Sequence, residues 1–416
     1  MSSLRRRQIL QLFGLACGAS ILPVACRSSS NIDGSPAANT TPSGSASPSD
    51  PFTAYMKQAE AALAQEFKGI TTSGQIVPNL YSIESTRVST EPIKKAADSL
   101  IAALSNQQKV NTLFPVDSEK WRRWSNIHRY PRQGISLLEM TPRQKQLAFN
   151  LLQVSLTAKG FEKAQNIMKL NQVLGQLTKK LNEYGKELYW FSFMGQPSMK
   201  EPWGWQLDGH HLNINYFVLG DQVVMTPTFM GSEPVRATEG EYAGIRVFEP
   251  EESKGLATIR ALTTEQRDKA VLAKEIPKDV FTSAFRDNFE MRYEGISFAE
   301  LMSGQQEILL DLIREYTGDI RNGHAEVKME QVRQHLESTH FAWMGGFDNN
   351  SVFYYRIHSP VILIEFDHQR GQALGNKEPS RNHIHTVVRT PNGNDYGKDL
   401  LRQHYQRSNH SHVHSH

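Results

Sequence analysis

Between Val361 and Arg389 the side-chain pattern leaves the backbone few choices. Val361-Ile362-Leu363-Ile364 is a continuous apolar run that fits a buried strand, and it ends in Glu365-Phe366-Asp367-His368. A polar loop with Gly and Pro follows, and Asn382-His383-Ile384-His385-Thr386-Val387-Val388-Arg389 then alternates as a second strand. Successive strand side chains point to opposite faces, so His383 and His385 share one face while Ile384 and Thr386 take the other. Two imidazoles about 7 Å apart, beside a strand that ends in carboxylates, are the material of a metal site. The plain alternative is a pair of surface histidines on a half-exposed sheet. A second pair, His210-His211, stands in an equally strand-like setting and favours the metal reading.

Composition narrows the chemistry. The only two cysteines of the 416 residues are Cys17 and Cys26, so the folded part has no disulfide and no thiolate ligand. Any metal must be held by His, Asp or Glu. The net charge of +3 comes from interspersed Lys, Arg, Asp and Glu, without the basic stripe that nucleic acid would require.

The chain opens as an export signal. Arg5-Arg6-Arg7 is a charged n-region, and Ile9 to Val24 is an apolar stretch too short to span a membrane as a helix. Arg6-Arg7-Gln8-Ile9-Leu10 resembles a twin-arginine signal, with Ile where the pattern has Phe and Arg5 where it has Ser or Thr. Leu22-Pro23-Val24-Ala25-Cys26 resembles a lipobox, which implies attachment to a membrane through lipidated Cys26, with Pro23 where the pattern prefers Leu. Residues 27–51 are rich in Ser, Pro and Gly and read as a disordered tether. The expected domain is 52–405, in an exported, periplasmic or envelope-anchored protein. Residues 406–416, with four alternating histidines at the end, read as a disordered tail.

Helical spacing marks Pro51–Phe67 and Thr90–Leu104. Three further helices open on capping-box patterns, Thr141-Pro142-Arg143-Gln144, Thr263-Thr264-Glu265-Gln266 and Ser303-Gly304-Gln305-Gln306. The capping motifs alone do not make a sequence repeat. The first of these helices carries Leu147, Leu151, Leu152 and Leu156 and is expected to break near Gly160. After Gly185 the period changes: Leu188–Met194, Trp203–Phe217 and Gln222–Thr228 read as strands, with a hairpin turn at Leu219–Gln222. On this reading His211 and Asn213 share a strand face, and His210 faces the other way unless Gly209 marks a bulge. Phe341–Met344, Val352–His358 and Val361–Asp367 resume the strand pattern. The expected fold is α+β, an antiparallel sheet with helices packed on it after a long N-terminal helical part. Trp121 to Tyr130 concentrates aromatic and basic residues, as a packed helix end or as the rim of a pocket for an anionic substrate.

Trp205-Gln206-Leu207-Asp208-Gly209-His210-His211-Leu212, Glu365-Phe366-Asp367, His383-Ile384-His385-Thr386-Val387-Val388-Arg389 and Gly393-Asn394-Asp395-Tyr396-Gly397 form a distinctive set. Together they resemble the domain of unknown function 3500 family over roughly Trp121 to Tyr405. That resemblance implies no activity, so the chemistry rests on the residues.

One reading is a metal-dependent enzyme, a hydrolase acting on a small anionic or polar substrate. His210 or His211, with His383, His385 and Asp367 or Glu365, would hold zinc, or iron or copper, with a position open for water. The ion would make that water a nucleophile, and Arg356 and Arg389 would neutralise negative charge. Asp395 joins Glu365 as a candidate acid–base group. A second reading is a non-catalytic exported protein that sequesters a metal or small ligand. A third is metal-free, with the histidines hydrogen-bonded to Asp208, Glu365 and Asp395.

Overall fold

The two halves of the domain have the same order of elements. In the computed structural model, which describes residues 50–411, α1 (Pro51–Leu63) precedes the first half. That half runs α2 (Glu91–Ala103), α3 (Asn106–Thr112), β1 (Leu113–Phe114), β2 (Ile135–Ser136), α4 (Pro142–Ser155) and α5 (Ala158–Thr178). It continues with β3 (Tyr189–Met194), β4 (Trp203–Gly209), β5 (Leu212–Leu219), β6 (Gln222–Val224) and β7 (Thr228–Ser232). The second half runs α6 (Glu249–Ala261), α7 (Thr264–Ala270), β8 (Val271–Ala273), β9 (Ile296–Ser297), α8 (Ser303–Thr317) and α9 (His324–Arg333). It closes with β10 (His340–Gly345), β11 (Phe353–His358), β12 (Leu363–Arg370) and β13 (Pro379–Arg389), and α10 (Lys398–Ser411) follows. The signal and lipobox readings and residues 27–49 of the tether fall outside the described residues, as do residues 412–416 of the tail, whereas Pro51 opens α1 and residues 406–411, expected to be disordered, continue α10. No described helix is long and apolar enough to cross a membrane.

All the strands join one sheet, ordered β1-β3-β4-β5-β7-β13-β12-β11-β10-β8, with β2 on β3, β9 on β10 and β6 on β5. Every pairing is antiparallel except β1 with β3 and β8 with β10. The order reads the same from both ends, with β7 and β13 in the middle. Only β6 lacks a counterpart. The fold is therefore the expected α+β sheet with packed helices, and it is also an internal duplication, which the capping motifs had not established.

The capping boxes are one mark of that duplication. Gln144 closes the box on Thr141, and its amide then donates to the Ala103 carbonyl and to Gln108, each at 2.8 Å. Gln305 repeats this toward Ala261 at 2.8 Å and Gln266 at 2.7 Å. In this helix the N-cap is Met302, whose N–H donates to Gln305 while its side chain makes no cap bond, so only half of a box forms, one residue before the expected Ser303. Gly134 and Gly295 sit at φ +91° and +93°, and a Cβ at either would fall 2.1 Å from a carbonyl, of Phe191 or Phe341. Only glycine fits both positions.

The sheet has two unlike faces. Toward the helices it presents Phe191, Trp205, Ile214, Tyr355, Phe366 and Ile384, which form the main core with α2, α4, α5, α6 and α8. The other face is buried but polar. The pairings Asp208↔Asn213, Asn213↔Phe229, Phe229↔Val387, Val387↔Glu365 and His385↔Asp367 put all of these residues on it. Directly paired residues share a face. Irregular chain covers that face, and buried charges hold the chain in place. Arg389 donates to the Thr282 and Ser283 carbonyls and to Asp287 and Asp395. Arg122 ties Asp287 to the carbonyls of Ala62, Leu63 and Gln65.

Candidate metal centre

The stretch Trp203–Phe217 is not one strand. It folds back on itself, with Gly209 paired to Leu212 and His210-His211 as the turn between β4 and β5. His211 lies at φ +62°, in the left-handed region that non-glycine residues rarely adopt. The turn, not strand alternation, aims its imidazole at β13. On β13, His383 and His385 share the polar face as the alternation requires, with Gly231 of β7 directly opposite His385. A Cβ at position 231 would lie 3.0 Å from the His385 ring and 3.3 Å from the His211 ring, so the glycine leaves the space where the rings meet.

The three Nε2 atoms converge: His383 to His385 is 3.0 Å, and His211 is 3.1 Å from each. All three residues are about 5% exposed. His383 Nδ1 is 2.7 Å from the Arg370 carbonyl, which can only accept, so Nδ1 carries the hydrogen. His385 Nδ1 donates in the same way to Asp279 Oδ1 at 2.8 Å. In a neutral ring the Nε2 is then a bare lone pair. Two such lone pairs at 3.0 Å repel unless a cation lies between them. Burial, and then the neighbouring imidazoles, push His211 and His383 well below the usual histidine range, so neither of these two rings supplies that cation by taking a proton. Nitrogens 3.0–3.1 Å apart and about 2.0–2.1 Å from a shared ion subtend about 90–100° at it. That is a facial set of three. No other group of three or more ligating side chains meets this closely among the described residues.

The remaining sequence candidates stand around this triad in different roles. His210 stacks on His211 with ring centroids 3.9 Å apart, but its Nδ1 is 2.8 Å from Asn171 Oδ1 and it does not join the three. Asp367 is the cross-strand partner of His385 and lies on the same face. Its carboxyl takes the Gln369 amide on one oxygen and has no protein partner on the other, and burial raises its pKa well above the ordinary value. Glu365 is fully engaged, accepting from the N–H groups of Phe281 and Thr282, from the Thr282 hydroxyl and from Tyr354. Arg356 pairs with Glu294 at 2.8 Å. Arg389 and Asp395 meet at 3.1 Å inside the buried charge cluster and serve the cover.

Two neighbours were not among the sequence candidates. Asp279, 39% exposed in its side chain, orients His385 from an irregular segment. Glu233 comes within 3.8 Å of His383 Nδ1, and burial raises its pKa. The basic and aromatic segment Trp121–Tyr130 packs beneath the hairpin: Ser125 N–H donates to Asp208, and His128 meets His210 edge-on at 5.6 Å. Burial pushes the Asp208 carboxyl up to about 6.

Among known proteins, neither a curated protein nor a solved structure matches the chain. One family model does, over residues 86–398, about three quarters of the chain, and its span holds the three histidines and Asp279. The chain belongs to the family described as Protein of unknown function (DUF3500).

Proposed function

We propose that His211, His383 and His385 hold one divalent ion, zinc first and iron or copper next, and that the protein is an exported metal-dependent hydrolase. The observation that carries this is the pair of fixed tautomers, which turn two lone pairs toward each other at 3.0 Å. Three neutral imidazoles leave a bound dication its full charge, the ligand set that best acidifies a water. Once bound, the ion would supply an activated water and polarise a substrate carbonyl or phosphoryl oxygen. The chain's own part is to fix the imidazoles: the Arg370 carbonyl and Asp279 hold two tautomers, and the strained turn holds the third ring. Asp279, 39% exposed in its side chain, marks the side from which a small polar substrate would enter.

The test is a panel of carboxylic esters, phosphoesters and amides assayed with chelated and metal-restored protein. Hydrolysis that needs the ion and is lost in His383→Ala is the expected result. Stoichiometric metal without turnover of any class would instead favour sequestration of the ion.

A further inference from the structure

A cavity of about 80 Å³ lies on the other face of the sheet, under the central pair β7 and β13. Thr228, Thr386 and Val388 form its floor, alternating along the strands with Phe229, His385 and Val387 of the histidine face. None of the three site histidines lines it. Helix α9 contributes His324 and Lys328, one turn apart and hence on one side of the helix.

Each of these two side chains is only partly satisfied. The Lys328 ammonium donates to the Val361 carbonyl at 2.8 Å and is 3.5 Å from the Thr390 hydroxyl, and no described carboxylate pairs with it. Burial pushes the amine down to about 8, the mark of a cation short of compensation. His324 is 3% exposed, and its Nε2 lies 3.0 Å from the Asp221 carbonyl, so Nε2 carries the hydrogen. Its Nδ1 is then a buried acceptor with nothing to accept from. Leaving such an atom unsatisfied costs about 1–3 kcal/mol.

The two vacancies are complementary in one kind of molecule. Lys328 calls for an anion. His324 calls for a hydrogen-bond donor, which a bare carboxylate does not have. A hydroxyl beside a carboxylate offers both within a few ångströms, and Met225, Ile320 and Val327 give an apolar wall for a short alkyl group. We propose that this cavity binds a small 2-hydroxy carboxylate, with its carboxylate on Lys328 and its hydroxyl donating to His324 Nδ1. The site is separate from the histidine triad and does not depend on how that triad is read.

Calorimetric titration of the full chain with lactate and with propionate tests this, since the two acids differ by the hydroxyl alone. Lactate should bind one to one and about tenfold more tightly than propionate, the difference of one well-made hydrogen bond. Lys328→Met should abolish both, and His324→Phe should bring lactate down to propionate while leaving propionate unchanged. Thermal melts would show that both variants are folded, and the wild-type comparison stands without them. Absence of saturable binding by either acid would mean that the cavity holds only water. That result, equal affinity for the two acids, or a folded Lys328→Met that binds as wild type does would each overturn the proposal.

Discussion

Asp279 Oδ1 accepts the Nδ1 hydrogen of His385 at 2.8 Å, fixing which nitrogen of that ring faces the other two histidines. The two residues are 106 positions apart, and one belongs to a loop and the other to β13, one of the two central strands. Orienting partners of this kind typically change metal affinity about 10–100-fold. Asp279→Ala should therefore weaken metal binding by that factor, as read by competition with a chromogenic chelator. The melting temperature of the metal-free protein should barely move, because the carboxylate is 39% exposed.

Gly231 makes a steric prediction. A Cβ there would lie 2.6 Å from the Ile384 carbonyl as well as against two of the histidine rings. Gly231→Ala must displace β7 or β13, at a cost of about 1–3 kcal/mol in urea unfolding. Metal content should fall with it, because the shift opens the triad.

Arg389 was a candidate for charge neutralisation at the site, and its contacts assign it to holding the cover. It is fully buried between Asp287 and Asp395 and lies over the Trp124 ring. Breaking such a cluster from one side leaves buried charge unpaired and typically costs about 3–5 kcal/mol. Arg389→Met should thus lower the melting temperature sharply. Protein that does fold should keep its metal, which separates a structural role from one at the ion.

His358 sets a pH dependence. Burial pushes it down to about 3, so the native state keeps it neutral while the unfolded chain protonates near pH 6.5. Its contribution is present above pH 6.5 and is lost as the pH falls toward 3, at about 1.4 kcal/mol per pH unit. Asp208, raised to about 6 by burial, has the opposite sign and is common to both proteins compared. Unfolding free energies of His358→Phe between pH 6.5 and 4.5 should fall less steeply than those of wild type, by that slope.

What the sequence made legible was local. The capping boxes at Thr141 and Thr263, the alternation that put His383 beside His385, and the hairpin at Leu219–Gln222 all follow from neighbouring residues. The turn at His210-His211 was marked only by a change of phase, from apolar odd positions (Trp203, Trp205, Leu207) to apolar even ones (Leu212, Ile214, Tyr216), and its two central positions are histidines, with Asp208-Gly209 standing just before them. The duplication was hidden because its signature lies in separated positions, such as Gly134 with Gly295 and Gln144 with Gln305, and only the sheet order aligns them. Asp279 and Gly231 act through packing between segments far apart in the chain, which neighbouring residues do not reveal.

The central claim is that the three imidazoles hold a metal, and elemental analysis tests it most directly. The protein should be prepared without its last eight residues, since that His-rich segment could collect metal by itself. After incubation with zinc, iron or copper and removal of excess, the account predicts about one tightly held equivalent per chain. That equivalent should be absent from His385→Ala and from His211→Ala, with helical circular dichroism unchanged. Wild-type protein that holds none of the three metals, or variants that keep the full equivalent, would contradict it.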